Sequence, residues 1–434
     1  MTNLYYKRDD CRLCHSGNVE PVVRLMPIPI ATPNFSAPDV DRNAPVYKEP
    51  VPLELYLCAD CGLLQILHVG NPEIQYRNYV YTTSVSLGLP EHFLKYADEV
   101  LAATGAPAGS LVIELGSNDG TLLRAFKERG TRVLGVDPAR AIAARATESG
   151  VETLPAFFNK EVGAKIREEH GPADIVIANN VFANIDDLDD FVAGVRDVLA
   201  PDGVFVFETQ YGADVIRKNL LDTVYHEHLS YFNVKPLLSY FAGMDLDLFD
   251  AEQIWTKGGS IRVSVQHAGG ARARSQRVDD LVAQEIAEGF YDPALYTRFA
   301  HRLEGLKDRL RALVAEQHAL GKTVGGYGVS VGTTTLLPQF GLEKEIDFLV
   351  DDDPNKESVL SGPSFEIPVL RPDSIYETDP GAIVIFAWRY AEPIIEKHQE
   401  YLDRGGKFIV PLPDVAVVPA RPDRGVVRNR KDTA

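Results

Sequence analysis

At 434 residues the chain is too long for one ordinary core, so two or three domains are expected. Its 45% hydrophobic and 24% charged content is that of a globular protein, and no apolar run approaches the roughly 18 residues of a membrane span. The formal charge of −18 repels polyanions and argues against nucleic acid as a partner.

Residues 1–10 are polar and charged, unlike a secretory signal, so the cytoplasm is the expected location. All four cysteines then fall in two C-x-x-C pairs, Cys11/Cys14 and Cys58/Cys61. Two such loops supply the four thiolates of a tetrahedral zinc site with no open position, which makes the expected role structural. The competing reading is two unrelated thiol pairs or a redox motif, but neither pair sits in a βαβ pattern. The metal is expected to hold together residues 1–88, which are rich in proline (Pro21, Pro27, Pro29, Pro33, Pro38) and poor in helix signals. Tyr76, Tyr79 and Tyr81 end this lobe, placed either to pack or to reach the next domain's cleft.

From Leu111 the pattern changes to short apolar strands (111–115, 132–137, 174–179, 203–208) alternating with amphipathic stretches (121–129, 139–149, 187–199). This alternation predicts an open, mainly parallel sheet with ligands at the carboxyl ends of its strands. The first strand ends in Glu114-Leu115-Gly116-Ser117-Asn118-Asp119-Gly120. Gly116 and Gly120 permit a tight turn and close approach of a ligand. The glycine spacing is not that of a dinucleotide site, and Glu114 and Asp119 suit a cofactor carrying an ammonium and a sulfonium better than a pyrophosphate. Asp137 ends the second strand roughly 20 residues after Gly116, where an acid commonly holds a ribose diol. An α/β turn without a cofactor is the bland alternative.

The densest titratable run, 222–232, contains Tyr225, His226, Glu227 and His228. Histidine suits proton abstraction, with a neighbouring carboxylate or phenol to orient it. The two histidines lack the i, i+4 spacing of a helical metal pair, and a hydrogen-bonded core Tyr and His is the plain alternative. Residues 271–319 have helical composition broken near Tyr291-Asp292-Pro293. A second α/β set follows, with strands at 323–327, 346–350, 382–386 and 407–410 and Asp351-Asp352-Asp353 after the second. The basic run 421–431 reads as a solvated tail.

Together these motifs resemble the zinc-containing, S-adenosylmethionine-dependent sugar C-methyltransferases that act on nucleotide-linked 4-keto-deoxyhexoses. The resemblance covers nearly the whole chain. It runs through the paired cysteines, Tyr-x-Tyr at 79–81, Glu-x-Gly-x-Asn-Asp-Gly at 114–120, Gly-Val-Asp-Pro at 135–138, Tyr-x-Glu-His at 225–228, Gly-Gly-Ser-Ile-Arg at 258–262, and Gly-Tyr-Gly at 326–328 with Leu336-Leu337. It implies an α/β protein with a zinc lobe (1–88), a Rossmann-like class I methyltransferase domain (89–272), and a helical linker with a second Rossmann-like substrate domain (273–434). It also implies a cofactor held by Glu114, Gly116, Asn118, Asp119, Gly120, Asp137, Pro138 and Asn179. His228 is then the base that removes a proton from carbon 3 beside the C4 ketone, with Tyr225, Glu227 and Tyr81 around it. A monomer acting in deoxysugar and natural-product biosynthesis on a nucleotide-linked keto-sugar is the implied whole.

Two positions depart from the family pattern. Asn184 stands where the family has a histidine, and Gly332 where it has a lysine. A methyltransferase for another ketone, acid or hydroxyl is therefore the first rival, and a non-catalytic zinc-bearing scaffold the second.

Overall fold

The computed structural model describes residues 3–31, 44–77, 79, 82–83 and 88–420. Tyr81, Pro33, Pro38 and the run 421–431 lie outside the described residues. The chain divides into two compact units: Met1–Ala31, Glu49–Arg217 and Thr223–Phe299 in the first, Thr32–Lys48, Lys218–Asp222 and Ala300–Ala434 in the second. Among the described residues no helix is long and apolar enough to cross a membrane.

The first unit begins with short strands: β1 (Tyr5–Lys7), β2 (Val19–Ile28), β3 (Val51–Cys58), β4 (Leu64–Gln65) and β5 (His68–Gly70). β2, β3 and β4 pair antiparallel in sequence order, and β1 pairs with β5. Inward-facing Val51, Leu53, Leu55 and Leu57 alternate along β3 and are fully buried, the period of a strand covered on one face.

The main sheet of this unit contains β6 (Leu111–Leu115), β7 (Arg132–Val136), β8 (Thr153–Leu154), β9 (Ala173–Ile177) and β10 (Leu199–Gln210). After β11 (Ser230–Tyr231) it is completed by β12 (Leu246–Ile254) and β13 (Ser260–His267). The order is β12-β13-β10-β9-β6-β7-β8. β10 through β8 are parallel and buried on both faces, hence their unbroken Val/Ile/Leu runs; β12 and β13 join antiparallel as a hairpin. The helix Leu89–Thr104 packs Phe93, Tyr96, Ala97 and Val100 onto Val112, Phe126 and Ile175. The strands expected at 111–115, 132–137, 174–179 and 203–208 are all present, with β10 longer at both ends.

β11 does not belong to the main sheet. It pairs antiparallel with β4, Ser230 opposite Gln65 and Tyr231 opposite Leu64, so the N-terminal sheet reads β11-β4-β3-β2. Two helices, Gln276–Glu288 and Pro293–Ala319, follow the hairpin, broken where the proline was expected to break them. Glu285 on the first is fully buried and accepts from Tyr211 Oη at 2.8 Å and from the amides of Val234 (2.7 Å) and Lys235 (3.1 Å), capping the helix Val234–Gly243.

The second unit holds a sheet of β14 (Val324–Tyr327), β15 (Phe348–Val350), β16 (Ser358–Ser361), β17 (Glu366–Leu370), β18 (Ala382–Ile385), β19 (Phe408–Val410) and β20 (Ala416–Val418). Its order is β16-β17-β15-β14-β18-β19-β20, parallel at the centre with an antiparallel strand at each edge. The strand order reverses between β14 and β18, the switch point of a doubly wound sheet.

Candidate active site

β6 delivers Glu114 and then turns sharply. Gly116 (φ 71°) and Gly120 (φ 74°) occupy left-handed backbone, and a Cβ on Gly116 would meet Val181 Cγ2 at 2.2 Å. Asp137, ending the adjacent β7, receives the amides of Asn118 (2.9 Å) and Ala139 (2.8 Å), one on each carboxylate oxygen. Asp119 Oδ1 accepts from Thr121 Oγ1 at 2.6 Å, and Asn118 Oδ1 accepts the amides of Asp119 and Thr83, each at 2.9 Å. Asn179 Oδ1 accepts the Glu208 amide at 2.9 Å, and the Pro138 carbonyl accepts from Arg77 at 3.5 Å. The eight residues expected to hold a cofactor thus lie at the carboxyl ends of β6, β7 and β9.

Glu114 is 4% exposed and its Oε2 has no hydrogen-bond partner among the described residues; neither has Ser117 Oγ. Burial, followed by the nearby Asp137 and Asp119, pushes the Glu114 carboxyl well above its usual range, and burial raises Asp137 as well. A buried carboxyl raised further by two neighbouring acids marks a site rich in negative charge, which suits a ligand carrying an ammonium and a sulfonium. Binding such a cation requires the ionised carboxylates. Affinity for S-adenosylmethionine, measured by calorimetry, is therefore expected to fall as pH drops through the raised carboxyl range. Glu114→Gln is expected to weaken that dependence, and an affinity that is flat between about pH 5 and pH 8 would contradict this account.

The run 225–228 sends its side chains two ways. His226 is buried against the N-terminal lobe, its Nε2 at 3.1 Å from the Pro52 carbonyl, and burial lowers it to about 4. It is a neutral anchor rather than a proton acceptor. His228 Nδ1 lies 2.7 Å from the Thr223 carbonyl, which only accepts, so Nδ1 carries the hydrogen. That leaves Nε2 to accept, 3.1 Å from Tyr225 Oη and 2.8 Å from Gln210 Nε2, which also lies 3.0 Å from Nδ1. Glu227 is 8% exposed, and burial raises its carboxyl to about 7 despite a hydrogen bond from Tyr79 Oη (3.3 Å) and the charge of Lys257. Tyr76 Oη donates to the Glu227 carbonyl at 3.4 Å and also meets the Asn184 side chain. Tyr76 and Tyr79 therefore reach from the N-terminal lobe to this cluster.

The four cysteines converge, their Sγ atoms all within 4.8 Å of one another. Cys11–Cys61 and Cys14–Cys58 are 3.5 Å apart, unbonded and close to the separation of about 3.8 Å that Zn–S bonds of about 2.3 Å impose on a tetrahedron. The Cys11 thiol is held down to about 5, first by the hydrogen bond from Cys61 and then, against burial, by the amides of Cys14 and Leu13. The donor set fits zinc, and no position is left open for substrate.

Gln210 and Arg12 carried no sequence signal. Gln210 is an ordinary residue at a strand terminus, and only its place at the carboxyl end of β10 marks it. Arg262, from the Gly-Gly-Ser-Ile-Arg motif, is built into a buried ion-pair network: it bonds Glu208 and Glu99 at 2.7 Å each, while Glu208 also takes His92 at 2.9 Å. Arg12, between the first two cysteines, is 1% exposed.

In the second unit Gly328 (φ 99°) turns the chain against Ala387, and Ser330 caps the helix Val331–Phe340 with a capping box to Thr333. Asp351 accepts the Val329 amide at 2.7 Å and Lys356 Nζ at 3.1 Å. Gly332 lies in the first turn of that helix, where a Cβ would sit 3.3 Å from Asp222 Cβ. Asp222 itself pairs with Arg389 and takes the Trp388 indole at 3.0 Å.

Comparison with known proteins covers nearly the whole chain. Family models match a zinc-binding domain over residues 11–76, a methyltransferase domain over 91–250 and a C-methyltransferase C-terminal domain over 255–413. The C-methyltransferase NovU of Streptomyces niveus is 35% identical over 421 residues, 97% of this chain and 99% of that protein. Solved structures align over smaller parts: the CurJ carbon methyltransferase over 43% of this chain and 57% of its own, at 14% identity and a TM-score of 0.34. The magnesium protoporphyrin IX methyltransferase of Synechocystis PCC 6803 with bound SAM aligns over 44% and 86%, at 12% identity and 0.32.

Proposed function

The chain belongs to the zinc-bearing, S-adenosylmethionine-dependent C-methyltransferase family, and from that premise we propose that it methylates carbon 3 of a nucleotide-linked 4-keto-deoxysugar. One observation supports the reading: the Thr223 carbonyl holds His228 Nδ1, which leaves Nε2 turned to the Tyr225 phenol, and the next residue back in the chain is the buried Glu227. A hydrogen next to a ketone is removable when a base of near-neutral pKa is held in place and the resulting enolate oxygen is stabilised.

In this reading His228 Nε2 takes the proton from carbon 3. Tyr225 orients the imidazole through its hydroxyl, 3.1 Å away. Glu227, poised near 7, carries a proton that its carboxyl can lend to the enolate oxygen, and Tyr79 holds that carboxyl in place. The bound cofactor supplies a sulfonium methyl, the electrophile for the carbanionic carbon. Glu114, Asp119 and Asp137 hold the cofactor's positive end and ribose, and the buried cluster keeps water from the carbanion. Tyr81, which the family resemblance also assigns to this site, remains part of the proposal.

Incubation with a panel of nucleotide-linked 4-keto-6-deoxyhexoses and S-adenosylmethionine is expected to give a singly methylated sugar, with loss of deuterium from labelled carbon 3. No methylated product across the panel would sink the sugar assignment while leaving methyl transfer to another ketone open. Asn184 is the residue that favours testing such ketones: its Oδ1 has no partner among the described residues, and it presents an amide where the family has an imidazole.

A further inference from the structure

Arg12 sits inside the Cys11-x-x-Cys14 loop, yet its side chain leaves the metal centre and is completely buried. Its Nη1 donates to the Ile66 carbonyl at 2.5 Å, to Gln65 Oε1 at 3.1 Å and to the Leu229 carbonyl at 3.4 Å. Its Nε donates to Asp186 at 3.0 Å, and its own amide to Gln65 Oε1 at 3.2 Å. Leu229 directly follows His228. Its carbonyl also accepts the Ile66 amide at 2.8 Å, and the next two residues form β11 against β4. Asp186 lies two residues beyond Asn184, whose side chain meets Tyr76 beside Glu227.

From this geometry we infer that Arg12 is a positioning residue for the proton-abstracting loop, joining the metal knuckle to His228 through Leu229 and to the 182–186 loop through Asp186. The inference rests on the assignment of His228 as base. A guanidinium makes these bonds in a fixed planar fork, which lysine's single ammonium cannot copy. Burying a charge is costly unless it is paired, so a buried arginine spent on backbone carbonyls of two segments fixes their relative placement. Small displacements of a base matter: about 1 Å of misplacement lowers turnover on the order of 10²-fold.

The test uses the full-length zinc-loaded protein and Arg12→Lys. The variant is expected to keep stoichiometric zinc and to bind S-adenosylmethionine within about twofold of the parent, because no bond of Arg12 reaches residues 114–137. Hydrogen exchange at the amides of Ile66 and of 228–231 is expected to accelerate by on the order of tenfold or more, with 111–136 unchanged. Turnover is expected to fall by about 10- to 100-fold with a smaller change in KM, and the acid limb of the pH profile to move. A purely structural arginine would lower the unfolding temperature while leaving kcat and the pH profile of the folded enzyme as they were. Unchanged exchange at 228–231, or unchanged kcat in a zinc-loaded variant, would overturn the inference. If Arg12→Lys does not accumulate folded, Asp186→Asn, which removes the anionic partner from outside the metal loop, is read by the same measurements. Exchange rates judge Arg12 even if no keto-sugar proves to be a substrate, so the two ideas fail separately.

Discussion

Asparagine in place of His228 is expected to lower turnover by about 10³- to 10⁴-fold while leaving S-adenosylmethionine affinity within about twofold. The two effects separate because the groups lie on different segments. His228 is held by Thr223, Tyr225 and Gln210, whereas the cofactor loop is braced by Asp137, Asn118 and Thr121 at the ends of β6 and β7. Asparagine keeps a donor and an acceptor near the imidazole's position, so the buried Gln210 and Thr223 groups keep partners and the fold survives. What it lacks is a titratable nitrogen. Single-turnover methyl transfer together with calorimetry of cofactor binding reads both quantities. A loss of less than tenfold would remove His228 as the base and leave Glu227, with its carboxyl near 7, as the group to examine.

Loss of the metal is expected to have the second large effect. Chelation, or Cys58→Ser, is expected to lower the first unfolding transition on the order of 10 °C and turnover by more than 100-fold. The N-terminal lobe is small: beside Val23, Val51, Leu53, Leu55 and Leu57 its core adds a short second row of Leu63, Leu64, Ile66, Leu67 and Val69. Apparent zinc binding free energies of about 10–16 kcal/mol in small four-ligand sites exceed what such a core supplies. The damage does not stop at the lobe, because β4 carries β11, His226 is anchored on Pro52, and Tyr76 and Tyr79 approach Glu227 from the lobe side. Metal analysis, thermal unfolding and turnover on one sample test this. Full activity in protein shown to be metal-free would overturn it.

Much of the frame was legible in the sequence for identifiable reasons. Strands buried on both faces write themselves as continuous apolar runs, which is why β6, β7 and β9 were found nearly to the residue. Paired thiols have few other uses in a chain with no cysteine to spare. The clustering of the acids at 114, 119 and 137 was legible because spacing along β6 and β7 alone brings them together. What stayed hidden depends on distant pairing. Nothing local distinguishes His226 from His228; only the lobe packed on one side of the loop makes one an anchor and leaves the other its basic nitrogen. Residues 230–231 are too short to read as a strand, and become one only because β4 offers an open edge. Arg12 was overshadowed by the cysteines flanking it.

The pairing of β11 with β4 also dictates an order of events as the chain is made. Ser230 leaves the ribosome 165 residues after its partner Gln65 (230 − 65), on the order of 10–30 s later at 5–20 residues per second. By then Cys61 has long since joined Cys11, so all four thiolates are available for capture of the ion before the last strand of their own sheet exists. Throughout that interval β4 presents unsatisfied amides and carbonyls along its outer edge. The nascent lobe, with its four thiolates already made, is thus a template for a specific dipeptide, and the segment that docks there arrives with His228, the proposed base, two residues upstream.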